Sequence, residues 1–271
     1  MTAMDAVADP VRPAPLGIDW PESREVAHLP GSLPMGGVVP MTPVHAFARP
    51  APALQLDADA GLRPQRRDID LGGPLAFVID EVVTAAEARA IVAASEYFGF
   101  RDEAPGIATP PGMRMNKSVH WIADEGLLGP MFARIAHLLP AQVDGAPLHA
   151  GFSHRMNMYR YDADDVFNRH IDGDWPGYGL DDARREMVEW PGLRSRLTML
   201  LYLNDPEDGV LGGATRLIGR GRRAVDVTPK TGAALFFRHG FGPYSVPHEG
   251  RPVSGTVPKY VARINVMYRA G

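Results

Sequence analysis

The feature that most constrains the fold is a run of short β-type segments that begins at about residue 150. Turn residues, chiefly Gly, Pro, Asn and Asp, separate the segments. One segment, RLTMLLYLND, is apolar on both faces, which is typical of a buried strand. The others are HRMNMYRYD, FNRHID, GGATRLIG, RAVDVTP, GAALFFRHG, YSVPHEG and KYVARINVMY. Many short strands at roughly regular spacing predict an antiparallel sandwich or barrel.

Two helices are predicted ahead of these strands. The first follows the strand LAFVID and spans AAEARAIVAASEYF, ending near Gly99. Thr84 is its expected N-cap, because Glu87 three residues later completes the capping-box spacing. The second is predicted over residues 128–140, where Pro140 stops it. The fold class is therefore α+β and mainly β, with a helical layer on one face of the β core.

The N-terminal segment has a different composition. Residues 1–70 are rich in Pro, Ala and Gly and lack sustained periodicity, which indicates an N-terminal extension that is partly irregular. The predicted domain is 71–271, with its core at 150–270. A packed N-terminal layer is the alternative, because Trp20 and Met35 offer apolar side chains for docking.

Composition excludes several classes of protein. The absence of cysteine excludes disulfides, thiolate metal sites and cysteine nucleophiles. The net charge of −4, without a basic run, disfavours a nucleic-acid partner. The N-terminus lacks a secretory pattern, and no window approaches the roughly 18 apolar residues of a membrane helix. We expect a cytoplasmic protein with no membrane partner, and the oligomeric state stays open.

The stretch NRHIDGDWPG, residues 168–177, carries the strongest chemical signal. Side chains two apart on a strand face the same way, so His170 and Asp172 could bind one metal ion. A second histidine would complete the 2-His-1-carboxylate triad of non-haem Fe(II) oxygenases. The candidates are His239 and His248, and the richer pattern around His248 favours it. The alternative for the stretch is an ordinary polar strand end.

The order of the motifs resembles a known family. HID, LLYLND with GGATRL, GAALFF and HEGRPVSGTVPKY follow one another as in the 2-oxoglutarate (2OG)- and Fe(II)-dependent dioxygenases, in particular the prolyl-4-hydroxylase-like group. FVIDEVVTAAEARAIVAASEYFGF also resembles the leading strand and helix of that group. The resemblance implies a double-stranded β-helix, or jelly roll, with Fe(II) held by His170, Asp172 and His248. It also implies 2OG and O₂ as co-substrates, with ascorbate as a candidate reductant.

The same resemblance implies a basic residue at the start of the last strand, which pairs with the distal carboxylate of 2OG. A buried carboxylate needs such a partner. Lys259 is the first choice, and Arg263, four residues further on, is the rival or helper. Tyr202 and Tyr161 correspond to tyrosines that face the co-substrate.

The expected reaction is hydroxylation of an unactivated C–H bond in a small molecule or amino-acid derivative, with release of succinate and CO₂. Asn157, Arg155 and Trp175 are candidate residues at the substrate mouth, with a structural role as the alternative. Asp172 disfavours the halogenase variant of the family, which has a small residue there. The other functions considered are a peptidyl-prolyl (protein) hydroxylase, a cupin-like metal enzyme that does not use 2OG, and a non-catalytic scaffold on the same fold.

Overall fold

The computed structural model describes residues 16–32, 38–102 and 112–270, so Met35 lies outside the described residues. The α-helices in these ranges are α1 (Ala85–Phe98) and α2 (Glu125–Ile135). The strands are β1 (Ser23–Ser32), β2 (Val38–Phe47), β3 (Gln65–Asp68), β4 (Ala76–Asp80), β5 (Lys117–Ile122), β6 (Gln142–Val143), β7 (Ala146–Phe152), β8 (Arg155–Tyr161), β9 (Phe167–His170), β10 (Pro176–Leu180), β11 (Met187–Tyr202), β12 (Leu211–Gly212), β13 (Thr215–Ile218), β14 (Ala224–Val227), β15 (Ala234–Arg238), β16 (His248–Gly250), β17 (Val253–Ser254) and β18 (Lys259–Arg269). In these parts of the chain, no helix is long and apolar enough to cross a membrane.

Two sheets face each other and form a double-stranded β-helix, or jelly roll. The major sheet has the order β1-β2-β5-β8-β18-β11-β15-β4-β3, and the minor sheet has the order β14-β13-β16-β9. Among the strand pairs of the described residues, only β2 and β5 run parallel. The long strands β11 and β18 pair with each other at the centre of the major sheet. The fold class predicted from the sequence is therefore confirmed.

The helical layer covers the outer face of the major sheet. Helix α1 begins after Thr84, whose Oγ1 accepts the Glu87 N–H at 3.1 Å, while Glu87 Oε2 accepts the Thr84 N–H at 2.7 Å. This is the predicted capping box, and it satisfies two backbone donors at the helix start. The helix ends at Gly99, whose φ of 88° suits a residue without a side chain. Its buried face, which includes Ile91, joins the larger hydrophobic core.

Helix α2 differs from its predicted bounds. It begins at Glu125 and not at residue 128, and beyond Ile135 it continues only as the 3-10 turn Ala136–Leu138. Pro130 lies inside the helix and has no N–H, so the carbonyl of Gly126 lacks its helical donor. That carbonyl accepts the Leu56 N–H at 2.9 Å instead. A backbone group from outside the helix therefore makes the interior proline tolerable.

The N-terminal segment adds strands to the major sheet. Strands β1 and β2 form an antiparallel pair, and β2 continues the sheet by pairing with β5. Trp20 stacks on Phe47 with ring centroids 5.4 Å apart, and it also approaches Tyr97 of α1 at 6.1 Å. In its described part, this segment is thus the packed layer that the sequence left as the alternative. The domain boundary near residue 70 stays a prediction.

A smaller hydrophobic cluster fills the space between the two sheets. It joins Leu217 of the minor sheet to Leu235, Phe237 and Val261 of the major sheet. The inner face of the major sheet changes from apolar to polar beyond this cluster. The candidate site lies at that change.

Candidate active site

The minor sheet brings three possible metal ligands together. His170 ends β9, His248 begins β16, and the two residues are directly paired across these strands. Asp172 follows two residues after His170, and the ligand atoms of all three lie within 4.8 Å of one another. The prediction that His170 and Asp172 share a strand is wrong, because β9 ends at His170. The chain turns there, and the Asp172 carbonyl accepts the Gly240 N–H at 2.8 Å.

Hydrogen bonds define which histidine nitrogens are free. His170 Nδ1 lies 2.8 Å from the Asn168 carbonyl, and His248 Nδ1 lies 3.2 Å from the Val246 carbonyl. A carbonyl only accepts, so Nδ1 carries the proton in both rings and Nε2 keeps its lone pair. Both Nε2 atoms face Asp172, at 3.8 and 3.9 Å from its oxygens. Burial lowers the pKa of His170 to about 3 and also lowers that of His248, so both rings are neutral at neutral pH.

Asp172 is held in the ionised form. Its Oδ2 accepts hydrogen bonds from Thr198 Oγ1 at 2.6 Å and from Arg263 Nε at 2.9 Å. Burial raises the pKa of Asp172, but the Arg263 guanidinium and the neighbouring groups outweigh burial, and the pKa lies well below its usual range. Oδ1 remains on the side of His170. Two neutral imidazole nitrogens and one carboxylate oxygen are a donor set that fits Fe(II).

A chain of hydrogen bonds behind Asp172 was not predicted from the sequence. Because Thr198 Oγ1 donates its only proton to Asp172, it must accept from His239 Nδ1 at 2.8 Å. His239 Nε2 then accepts from Ser195 Oγ, also at 2.8 Å. Both ring nitrogens of His239 are therefore engaged, which excludes it as the third ligand in this arrangement. The available signal in the sequence was Thr198 itself, the one polar residue in the segment LTMLL (residues 197–201) of β11.

Lys259 is a buried cation inside the same space. It is 1% exposed, and its Nζ donates to the Gly213 carbonyl at 2.6 Å. Among the described residues, no carboxylate pairs with it, and burial lowers its pKa to about 7. A Cβ at Gly213 would lie 2.9 Å from Lys259 Cδ, so the glycine permits this close approach. An unpaired buried ammonium fits the carboxylate of a bound molecule.

The two tyrosines and Arg263 take different positions. Tyr161 lines the cavity that also contains the triad, and the Lys259 Nζ lies 4.8 Å from its ring centroid. Tyr202 lies behind that lining, with its hydroxyl donated to Thr215 Oγ1 at 2.9 Å. Arg263 lines the cavity, but its Nε is committed to Asp172 and not to a position beside Lys259. Of the two basic residues, Arg263 thus has a carboxylate partner, and Lys259 has none among the described residues.

The three candidate residues at a substrate mouth are not in the cavity lining. Arg155 and Asn157 are almost fully buried on the inner face of β8, and a place for them at a substrate mouth stays a prediction. Asn157 Oδ1 lies 2.7 Å from His120 Nδ1. Trp175 is partly buried and covers Arg155, with the guanidinium carbon 5.2 Å from its ring centroid. The segment after Asp172 folds back over this face, which a strand pattern does not reveal.

Comparison with known families agrees with this geometry. Residues 156–267 match the family model described as the 2OG-Fe(II) oxygenase superfamily. The triad and Lys259 all lie within that range. The resemblance to the superfamily inferred from the motifs is thereby confirmed, and so are the enzyme class, a 2OG-dependent dioxygenase, and the cofactors Fe(II), 2OG and O₂ that the family implies. The narrower likeness to the prolyl-4-hydroxylase-like group stays a prediction. No curated protein matches the chain.

Several solved structures are similar. A viral collagen prolyl hydroxylase from Paramecium Bursaria Chlorella virus-1, in its 2OG complex, is 19% identical, with 72% of this chain and 96% of that chain covered and a TM-score of 0.48. A Pseudomonas putida prolyl-4-hydroxylase is 18% identical, with 74% and 96% covered and a TM-score of 0.49. A Trichoplax adhaerens prolyl hydroxylase, in complex with a peptide of the hypoxia inducible factor oxygen degradation domain, is 16% identical, with 72% and 83% covered and a TM-score of 0.49.

Proposed function

Residues 156–267 belong to the 2OG-Fe(II) oxygenase superfamily, and on this premise we propose that the enzyme hydroxylates an unactivated C–H bond of a small molecule or amino-acid derivative. One oxygen atom of O₂ enters succinate as 2OG loses CO₂, and the other enters the substrate as C–OH. O₂ takes up four electrons, two from 2OG and two from the C–H bond. The observation that carries the proposal is the assembled triad with an unpaired buried lysine in one cavity.

In this proposal, His170, Asp172 and His248 hold Fe(II). When bound, the metal supplies the O₂ chemistry that protein side chains lack. The chain contributes neutral imidazoles with free Nε2 lone pairs and a carboxylate oriented by Thr198 and Arg263. Three protein ligands leave coordination positions open for 2OG and O₂.

Lys259 binds the distal carboxylate of 2OG in this proposal. Its Nζ lies 4.8 Å from the centroid of the Tyr161 ring, and the side chain is 1% exposed, so an ion pair formed there would be shielded from solvent. The pair would offset the burial that now lowers the pKa of Lys259, because an anion nearby favours the charged form. Ascorbate remains a proposed reductant for this class of reaction.

The support for a small substrate is the small size of the cavity between the sheets. Phe167 and Tyr159 line it, and the Arg114 guanidinium carbon stacks over both rings at 4.9 Å from each centroid. A long peptide would need an extended open groove. A compact molecule needs only a pocket that closes over its reacting carbon.

The test is succinate release from 2OG under air with Fe(II), in wild type, Asp172→Ala and the exposed-site control Asp59→Ala. We expect slow release without added substrate in wild type and the control, and none in Asp172→Ala. Anaerobic Fe(II) and 2OG should also give the visible charge-transfer band of the chelate in wild type only. If neither signal appears in wild type, the proposal is wrong. Stimulation of succinate release by amino-acid derivatives, compared with proline-containing peptides, then separates a small substrate from a protein substrate.

A further inference from the structure

Arg155 is a buried cation without an anion. It is 4% exposed, its Nε has no hydrogen-bond partner, and its side chain forms no ion pair within the described residues. Its guanidinium carbon lies 4.8 Å from the ring centroid of Tyr178 and 5.2 Å from that of Trp175. Burial without such a partner lowers its pKa. Because proteins rarely bury an unpaired charge, the arrangement indicates an anion that none of the described residues supplies.

Two neighbouring polar side chains also have buried atoms without hydrogen-bond partners. His120 is 3% exposed and Asn265 is 1% exposed. In the described chain, His120 Nε2 and both polar side-chain atoms of Asn265 have no hydrogen-bond partner. His120 Nδ1 donates to Asn157 Oδ1, so Nε2 presents a lone pair that can accept. Native interiors leave few such atoms, and here they gather around one cation.

Strand register places this group beside the candidate metal site. Asn265 pairs with Thr198 across β18 and β11, and Thr198 donates to Asp172. Asn157 pairs with Arg263 across β8 and β18, and Arg155 lies two residues before Asn157 on the same face. Cross-strand neighbours have Cβ atoms about 5 Å apart. The polar group is therefore within one strand spacing of the residues that hold Asp172.

Lys259 and Arg155 are too far apart to hold one 2OG molecule. Tyr161 pairs with Lys259 and lies six residues beyond Arg155 on β8. At about 3.3 Å per residue, the two cations are separated by about 20 Å along the strand. A five-carbon diacid spans less than half of that distance. The anion at Arg155 therefore belongs to a second molecule.

We propose that Arg155, His120 and Asn265 form a subsite for the substrate, in which Arg155 binds a carboxylate and the other two accept from a neighbouring N–H. This subsite rests on the proposed function, because only the proposed reaction identifies the bound molecule as the substrate. The planar guanidinium can bind both carboxylate oxygens at once. A carboxylate beside an N–H donor is the pattern of an amino acid or its N-acyl derivative.

The test is binding of N-acetylated glycine, alanine, valine and leucine, each as the free acid and as the primary amide. Calorimetry on the full chain without iron or 2OG measures the affinities. We expect at least one acid to bind about tenfold or more tightly than its amide, which reflects one charge-assisted hydrogen bond. Arg155→Met should abolish the preference, and Arg155→Lys should retain part of it. Arg223→Met, which removes an exposed charge far from the subsite, should leave it intact.

Stability separates a binding arginine from a structural one. Without any acid present, Arg155→Met should unfold at the same or a higher temperature than wild type, because it removes an unpaired buried charge. The subsite is wrong if acid and amide bind with equal affinity in every pair, or if none of the compounds binds. It is also wrong if acid binding survives in Arg155→Met, or if that variant does not fold. Equal affinities in a protein that releases succinate overturn the subsite alone. A preference for acids in a protein that releases none overturns only the proposed reaction.

Discussion

The pH dependence of 2OG binding is the sharpest prediction from the structure. Burial lowers the pKa of Lys259 to about 7 in the free protein, so the side chain is mostly neutral above that pH. A carboxylate beside it requires the ammonium form. At a pH above about 7, Lys259 must therefore take up a proton when 2OG binds. The neighbouring groups do not titrate in this range. The pKa of His170 is about 3, that of His248 is lowered and those of Tyr161 and Tyr202 are raised.

The magnitude follows from the fraction of charged Lys259. Deprotonation of Lys259 multiplies the apparent dissociation constant of 2OG by the factor 1 + 10^(pH − pKa), where the pKa is that of Lys259. This factor is about 2 at pH 7 and about 100 at pH 9. We therefore expect 2OG to bind about 50-fold more weakly at pH 9 than at pH 7, with little change below pH 6. At pH 8, binding should take up about 0.9 of a proton.

Anaerobic calorimetry with Fe(II) in buffers of different ionisation enthalpy measures both the affinity and the proton uptake. Lys259→Arg is the matched variant, because a guanidinium stays charged and should give a nearly flat profile over the same range. Lys259→Met should bind 2OG weakly at every pH and without proton uptake. A flat wild-type profile, or a wild-type complex that takes up no proton, would show that Lys259 does not bind the co-substrate carboxylate.

Three further predictions concern the support of the site and the stability of the fold. Thr198→Val removes a hydrogen bond to Asp172, so Mn(II) affinity measured by titration should fall about 10- to 100-fold, and unchanged affinity would contradict the orienting role. Thr84→Ala removes the cap of α1 and should lower the free energy of unfolding in urea by about 1 kcal/mol, whereas no loss would show that the capping box is not formed in solution. Phe236→Ala empties a fully buried position stacked on Phe77 and should cost about 3–5 kcal/mol in the same assay, and a loss below about 1 kcal/mol would mean that this core repacks.

Local patterns in the sequence determined much of this protein. The capping spacing of Thr84 and Glu87 predicted the start of α1, because a cap involves only residues within one turn. Short strand-like segments predicted an antiparallel sandwich or barrel, and the order of the motifs implied the jelly roll through its resemblance to a family. The stretch NRHID suggested His170 and Asp172, and the pattern around His248 favoured that histidine as the third ligand. Each of these signals is contained in a short stretch or in the order of stretches.

Only the tertiary structure decided what each side chain meets. Arg263 reaches Asp172 across 91 positions of the chain, and Thr198 reaches it across 26. Arg155 is buried beneath Trp175 and Tyr178, which the segment that follows Asp172 brings over its guanidinium. These contacts depend on strand register and on which strands become neighbours. Sequence periodicity reports the face of a residue within its own element, but it does not report the partner across the sheet.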